Sequence, residues 1–277
     1  MGSEMCIRDR LNTIADQACR HAPRPAGPSS TPNRETESVG RSTSKPSFTG
    51  RSQQPTIACI NRAGDIGVPF TRLVRALQVY VDRHVAPVWG TPARLVEADK
   101  PIKGAWALIF LDHADKAEAL GYHDITVNGE PLGRVFVSSA RDNDEPVSVV
   151  ASHELAEMLV DPADNLWALG PDGRLYAYEI CDSVEEEHFE INGIAVSDFV
   201  YPAYFEAHRR PKTARFDHLD KVKRPFQVLP NGFLKYHDGG TLGTKFSSKH
   251  KEKRFAKEDR RYHRSELRAA LPATNRR

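Results

Sequence analysis

The chain has 277 residues and a nearly balanced charge, with 39 Lys and Arg against 37 Asp and Glu and a formal net charge of +2. This length supplies ample core for one large or two small domains. The longest apolar run, residues 105–111, is too short to cross a bilayer, and four cysteines without repeated spacing exclude a disulfide framework or a zinc knuckle.

The charge is concentrated at one end of the chain. Residues 245–277 contain twelve Lys or Arg against four acids, which makes this segment about +8. Since the whole chain carries +2, residues 1–244 carry about −6, and a net-acidic body suits a cation-binding site. A basic tail can attract phosphates non-specifically, but it contains no nucleic-acid recognition motif, so nucleic acid is expected as a partner only through such non-specific binding.

Three segments are predicted from composition. Residues 1–54 are rich in Pro, Ser, Thr, Gly and Arg over most of their length and are predicted to be disordered. Residues 3–10 also look like translated sequencing-adapter sequence, so the absence of a signal peptide leaves the compartment open. Residues 55–240 are predicted to form the folded domain, and residues 241–277 form a second disordered, basic tail.

Apolar patterning predicts a helix, a loop, a hairpin and five extended segments. A helix is expected over 70–85, ended by Pro87 and Gly90. Residues 138–146 are expected to be a loop, and a last hairpin is expected over 225–236 with Asn231-Gly232 as its turn. The predicted strands are 56–60, 105–111, 133–137, 174–180 and an extended segment at 191–196.

A second helix, over residues 147–160, is the most informative segment of the chain. Its only polar residues are Ser148, Ser152, His153, Glu154 and Glu157. His153 and Glu157 stand at i and i+4 and share one face, with Glu154 one step round. Carboxylates in apolar surroundings need a compensating charge, and a metal ion is a common one.

The ends of this helix are also visible in the sequence. Pro146 suits its first position, with Asp144 or Glu145 near the first turn. Asp161 precedes Pro162, and a residue before proline is pushed out of the helical region. The polar site is therefore expected on a helix that ends at Val160.

The motif His153-Glu154-x-x-Glu157 reads HExxE, one residue away from the HExxH of zinc peptidases. A strand, a loop and a helix with this motif, followed by a downstream carboxylate, resembles the zincin metallopeptidase architecture, and the downstream Glu resembles its gluzincin branch. Residues 151–157, Asp161-Pro162 and Glu179-x-x-Asp182 are also similar to an HExxE group that includes exordium-like secreted proteins and uncharacterised bacterial and fungal proteins. The resemblance covers roughly residues 100–240.

The resemblance implies an α+β fold, a zincin-like domain with a small mixed sheet packed on the active-site helix. It implies that His153, Glu157 and Glu179 bind the metal and that Glu154 is the general base. Zn²⁺ is the first expectation. Two carboxylate ligands weaken the ion as a Lewis acid, and their hard oxygens make Mn²⁺ or Ca²⁺ alternatives.

Each candidate residue also has a simpler interpretation. His153 and Glu157 are compatible with an ordinary i, i+4 side-chain interaction, which stabilises a helix by about a few tenths of a kcal/mol. Asp161 competes with Glu179 as the third ligand, or it only caps or orients, and Asp182 either hydrogen-bonds a ligand or starts a turn. His123 follows an apolar stretch and could line the cleft, but a surface or turn histidine is the favoured interpretation.

Two functions are compatible with these residues. The first is a zinc-dependent metallopeptidase or related hydrolase that acts on a peptide or protein substrate laid along an edge strand. The second is a non-catalytic zincin-like module that binds protein or glycan, with the metal structural or absent, because the second histidine of the peptidase motif is missing. Whether the protein is an enzyme stays open at this point, as does its substrate.

Overall fold

The computed structural model describes residues 54–114, 119–207 and 213–247. The predicted disordered segment 1–54 lies outside the described residues except for Gln54, and so does the basic tail beyond Ser247. The described fold continues through Phe246 and so includes the first residues that the sequence assigns to that tail.

A five-stranded mixed sheet forms the first half of the described fold. Its strands are β1 (Thr56–Asn61), β2 (Arg94–Glu97), β3 (Trp106–Leu111), β4 (Gly121–Ile125) and β5 (Pro131–Phe136). The order across the sheet is β2-β1-β3-β5-β4. Strands β2, β1, β3 and β5 are parallel, whereas β4 lies at the edge and is antiparallel to β5.

The antiparallel edge strand follows from the short connection between β4 and β5. The backbone N–H of Thr126 donates to the carbonyl of Glu130, and Gly129 has φ 88° within this turn. A turn of this length can join only antiparallel neighbours, because a parallel pair needs a long crossover. Asn128-Gly129 is a turn-forming pair in the sequence, but the apolar patterning predicts no strand before it.

The first helix packs on this sheet and is longer than predicted. Helix α1 (Phe70–Tyr80) continues through a π-helical segment (Val81–Val85) into α2 (Ala86–Trp89), which ends at Gly90 with φ 72°. Gly90 ends the helix as predicted, but the prediction that Pro87 does so is wrong. Pro87 stands at the start of α2, where a missing N–H is tolerated.

Alternate residues of the central strands pack on opposite sides of the sheet. Ile57 and Cys59 of β1 belong to the main core, and Ala58 and Ile60 belong to a smaller cluster on the other face. This is the two-residue period of a strand that is buried on both faces. The main core contains most of the buried apolar residues of the described chain.

Two helices follow β5. Helix α3 (Val137–Asp142) lies where the sequence predicts a loop, and that prediction is wrong. Only Val137 and Ala140 of α3 are buried, so a single i, i+3 pair gives too short a pattern to recognise. Helix α4 (Val147–Val160) has the predicted bounds, although Pro146 is the residue before the helix and not its first residue.

The second half of the described chain is antiparallel. A four-stranded sheet has the order β11-β10-β7-β6, and β8 and β9 form a separate hairpin. Asn192 and Gly193 both have positive φ in the turn of that hairpin. The strands are β6 (Trp167–Leu169), β7 (Leu175–Ala177), β8 (His188–Ile191), β9 (Ile194–Ser197), β10 (Phe233–His237) and β11 (Leu242–Phe246).

Three strand predictions in this half need correction. The extended segment predicted over 191–196 is not continuous, because the turn at Asn192 and Gly193 separates β8 from β9. The strand predicted over 174–180 ends at Ala177, after which the chain leaves the sheet toward α4. The hairpin predicted over 225–236 is wrong, because β10 pairs with β11 and not with the residues before Asn231. Gly232 packs on the backbone of Ser183, where a Cβ atom would lie 2.5 Å from the carbonyl oxygen.

Mixed helices and sheets confirm the α+β class. Among the described residues, no helix has both the length and the apolar character needed to cross a membrane.

Candidate metal centre

Helix α4 places the candidate site because nearly all of its surface is covered. Twelve of its fourteen residues are buried, including Glu154 and Glu157. A helix that is apolar all round belongs in the interior of a fold. The carboxylates of α4 are therefore withdrawn from bulk water, as the sequence predicts.

Ser152 fixes α4 against the hairpin of β8 and β9. The Ser152 hydroxyl accepts the backbone N–H of Ser197 at 2.7 Å and is 2.9 Å from the carbonyls of Ser148 and Val149. The hydroxyl of Tyr80 donates to the carbonyl of the same Ser197 at 3.0 Å. These buried bonds set the rotation of α4 and hence the direction in which His153 points.

On its other side, α4 approaches strand β4 closely at Gly121. A Cβ atom at Gly121 would lie 2.8 Å from Cγ and Oε1 of Glu154 and 2.8 Å from the carbonyl oxygen of Arg134. Only a glycine leaves room for the Glu154 side chain at this point. The close approach brings the next outward residue of β4, His123, into the site.

The first group of candidate ligands contains three residues that the sequence singles out. Nε2 of His153 lies 3.4 Å from Oε2 of Glu157 and 3.4 Å from Oδ1 of Asp182. One ligand atom from each residue lies within 4.8 Å of the others. The His153 side chain is 12% exposed, whereas the two carboxylates are nearly inaccessible, so this group has an opening on the histidine side.

Glu179 belongs to a second group together with His123 and Glu157. Nε2 of His123 lies 3.9 Å from Oε2 of Glu179, and Nδ1 lies 3.8 Å from Oε2 of Glu157. Nδ1 also lies 3.7 Å from Oε2 of Glu154. The structure thus places Asp182, not Glu179, beside His153, and it gives Glu157 a place in both groups.

His123 is the residue of these two groups for which the sequence favours the wrong interpretation. Its side chain is wholly buried, so the favoured interpretation as a surface or turn histidine is wrong. Neither ring nitrogen has a hydrogen-bond partner among the described residues. The available signal is Gly121, two residues earlier in β4, but this signal has meaning only once β4 is known to face α4.

Asp161 has a different part in the structure. Its Oδ1 accepts the backbone N–H of Asn165 at 3.0 Å, and its Oδ2 accepts that of Leu166 at 2.9 Å. Both oxygens therefore hold the turn that follows α4. This geometry favours the capping interpretation of Asp161 over the interpretation as a metal ligand.

The electrostatics of the site are set by burial and by opposite charges in contact. Burial by itself lowers the pKa of His153, but Glu157 and Asp182 stabilise the imidazolium and raise that pKa well above its usual range. Burial raises the pKa of the adjacent Cys181 thiol well above its usual range, so Cys181 is present as a neutral thiol. Its backbone N–H donates to Oε1 of Glu157 at 3.2 Å.

The two groups contain five different side chains, because they share Glu157, and Glu154 makes six. These six side chains fit a divalent cation. Four are carboxylates, and two histidines can contribute at most two positive charges, which leaves at least two negative charges among these six groups when the carboxylates are ionised. Such a charge in a buried site calls for a bound cation or for bound protons. The hydrogen-bond-free nitrogens of His123 and the convergence of the oxygens favour a cation, and imidazole and carboxylate are ligands that Zn²⁺ accepts.

No protein-family model, no curated protein and no solved structure matches the chain. The interpretation of the site therefore depends on the geometry of its own side chains.

Proposed function

We propose that the protein is a divalent-cation-dependent hydrolase, a metallopeptidase-like enzyme in which His153, Glu157 and Asp182 hold the cation. The observation that carries the proposal is the convergence of these three side chains. Of the two imidazoles in the two groups, that of His153 is the one that is partly exposed. Zn²⁺ is the proposed ion, and Mn²⁺ and Ca²⁺ are the alternatives, because two of the three ligand atoms are carboxylate oxygens. When bound, such an ion lowers the pKa of water and polarises a carbonyl group.

The protein residues position this chemistry. Glu157 is held by the N–H of Cys181, and Asp182 begins the short helical turn Asp182–Val184 that brings its carboxylate to His153. Asp182 replaces Glu179 as the proposed third ligand, because it is Asp182 that lies within 3.4 Å of the imidazole. We retain the resemblance to HExxE zincin-like proteins as part of the proposal, supported by a mixed sheet that packs on the motif helix.

Glu154 is the proposed general base. Its carboxylate is adjacent to His153 in sequence and, with 9% of the side chain exposed, retains some access to solvent. A carboxylate in this position can take the proton that water loses as it attacks a carbonyl carbon. The proposed substrate is an extended peptide, because β4 is an edge strand of the described sheet and edge strands pair with extended chains.

Substitution of Glu154 tests the proposal. Glu154→Gln should keep the bound metal and lower kcat/KM on a cleaved peptide by roughly 10²–10⁴-fold, because it removes the base and leaves the ligands. Metal content is measured by elemental analysis, and cleavage is measured by mass spectrometry of a broad peptide library. Glu190→Gln, a change of the same kind on the exposed face of β8, is the matched control.

Three outcomes would contradict parts of this proposal. Unchanged cleavage by Glu154→Gln would remove Glu154 from its assigned role. Bound metal without cleavage of any library peptide would favour the non-catalytic module that binds protein or glycan. Wild-type protein without metal would contradict the hydrolase and leave only the form of the module that has no metal.

A further inference from the structure

We propose that the site holds two divalent cations, with a second position formed by His123, Glu157 and Glu179 beside the one formed by His153, Glu157 and Asp182. The inference rests on the proposed cation site, because Glu157 belongs to both groups. It adds a ligand, His123, that the HExxE motif does not contain.

The first observation is the state of the His123 ring. The residue is 0% exposed and neither nitrogen has a hydrogen-bond partner among the described residues. A buried polar group that is left without a partner costs about 1–3 kcal/mol. Natural folds rarely retain such a cost without a reason, and both nitrogens face carboxylates of the site.

The distances distinguish ligation from hydrogen bonding. The His123 nitrogens lie 3.7–3.9 Å from the oxygens of Glu154, Glu157 and Glu179, which is beyond the range of an N–H···O bond. Two ligand atoms that each lie about 2.1 Å from a tetrahedral Zn²⁺ are about 3.4 Å apart. Only one of the two ring nitrogens can bind a given ion, because they point away from each other. One His123 nitrogen and one oxygen from each of Glu157 and Glu179 lie within 4.8 Å of one another, which leaves room for an ion between them.

Charge supports a second ion. The carboxylates of Glu154, Glu157, Glu179 and Asp182 carry four negative charges when ionised, and all four residues are buried. One divalent cation neutralises half of this charge, and two neutralise all of it while leaving both histidines neutral and able to donate a lone pair.

Glu157 is positioned to lie between the two ions. Its Oε1 accepts the N–H of Cys181, which orients the carboxylate. Its Oε2 is the oxygen that faces both imidazoles, at 3.4 Å from His153 and 3.8 Å from His123. Two-metal sites with a shared ligand hold their ions about 3.5–4 Å apart.

A second cation would also compensate for the weaker Lewis acidity that the HExxE motif gives to a single ion. Glu157 replaces a neutral histidine, so its negative charge makes a single ion a weaker Lewis acid. If the Glu157 carboxylate also bound an ion at the His123 position, it would donate less negative charge to the ion at the partly exposed His153 position. The two positions then have different roles, since the His123 position is closed by buried ligands and the His153 position has the exposed edge.

Metal stoichiometry tests the proposal. Purified full-length protein, loaded with Zn²⁺ and dialysed against metal-free buffer, should retain two equivalents by elemental analysis. Glu179→Gln and His123→Ala should each retain one, Asp182→Asn should retain one, and the control Glu190→Gln should retain two. Loaded with Mn²⁺, wild type should give the electron paramagnetic resonance spectrum of a spin-coupled pair, and Glu179→Gln should give that of an isolated ion.

The outcomes separate this inference from the proposed hydrolase. One equivalent in the wild type that is lost in Asp182→Asn and kept in Glu179→Gln would overturn the second position and leave the proposed function standing. One equivalent that is lost in Glu179→Gln and kept in Asp182→Asn would overturn the second position and reassign the ion to His123. No bound metal in the wild type would overturn both. Circular dichroism and thermal unfolding identify variants that fail to fold. If every variant fails to fold, the number of ions bound by the wild type still decides whether the second position exists.

Discussion

Glu157 and Asp161 are one helical turn apart, yet their carboxylates have opposite surroundings. Glu157 gives one oxygen to a backbone N–H and turns the other toward two imidazoles. Asp161 gives both oxygens to the backbone of the turn after α4. A carboxylate whose two oxygens already hold backbone N–H groups has less capacity for a cation, which favours the capping interpretation of Asp161 over its interpretation as the third ligand.

Asp161→Ala should therefore lower stability without changing the metal content. It leaves the N–H groups of Asn165 and Leu166 without their acceptors, which should cost about 1–3 kcal/mol in the free energy of unfolding. Urea denaturation measures the loss, and elemental analysis measures the metal. Asp99→Ala, on an exposed turn, is the control, and a loss of metal in Asp161→Ala would show that Asp161 is a ligand.

Helix α4 and strand β4 form the two walls of the site, and Gly121 sets the distance between them. A methyl group at this position would lie 2.8 Å from the Glu154 side chain and 2.8 Å from a backbone oxygen, which cannot move aside as easily as a side chain. The spacing of the two elements therefore depends on the absence of a single side chain.

Gly121→Ala should push the two elements apart. Overpacking of this kind costs about 1–3 kcal/mol, and the displacement should move both Glu154 and His123, so metal affinity and cleavage should fall together. Gly240→Ala is the control, because no atom lies within 4 Å of the added Cβ. Chemical denaturation, metal titration and peptide cleavage should show no loss for the control, and an unaffected Gly121→Ala would contradict the packing described for β4.

The elements also show which parts of the fold were accessible from sequence. The end of helix α4 at Val160 was predicted correctly because a long apolar run stops at Asp161-Pro162, which is a local signal, whereas Pro146 lies just before the helix and not at its first position. Strand β4 was missed because it is short and its five residues, Gly121 to Ile125, lack apolar alternation. The interpretation of His123 as a cleft residue could not be preferred without β4, since the position of His123 depends on the pairing of β4 beside β5 and on the packing of α4 across it. The same dependence on long-range contact explains why Asp182 and Glu179 could not be ranked by spacing alone.

The second half of the described molecule contains another pair of buried acids, Asp198 and Asp217. Burial, and then the charge of Asp217, raises the pKa of Asp198 to about 8. Backbone N–H groups are bonded to both acids, and the side chains of Tyr80, Tyr201 and Lys221 sense the charge of one or both. The pair joins the segment after β9 to the loop that begins near Asp217, and the raised pKa of Asp198 favours its protonated form at neutral pH.

This proton makes the stability of the whole molecule depend on pH. Between the ordinary carboxylate pKa of about 4 and the folded value of about 8, the folded state binds the extra proton and the unfolded state does not. The free energy of unfolding should therefore fall as pH rises through this range, by at most about 1.4 kcal/mol per pH unit from this group, and should level off above it.

Asp198→Asn should reduce that slope, because the asparagine keeps an oxygen for the N–H groups of Phe199 and Leu219 but has no proton to lose. Urea denaturation of wild type and variant from pH 5 to 9 measures the difference, which separates Asp198 from other titrating groups. Asp99→Asn should reproduce the wild-type slope. An identical slope in Asp198→Asn would show that the pair does not hold the proton.

The residues of the candidate site come from three distant stretches of chain. His123 lies in the edge strand of the first sheet, Glu157 lies in the helix that packs on it, and Glu179 and Asp182 follow a strand of the second sheet. None of these stretches brings a complete set of ligands with it. The site is consequently complete only in a chain in which β4, α4 and the segment that follows β7 have come together. A tightly bound cation would then be a mark of the finished fold, which partly assembled chains cannot acquire.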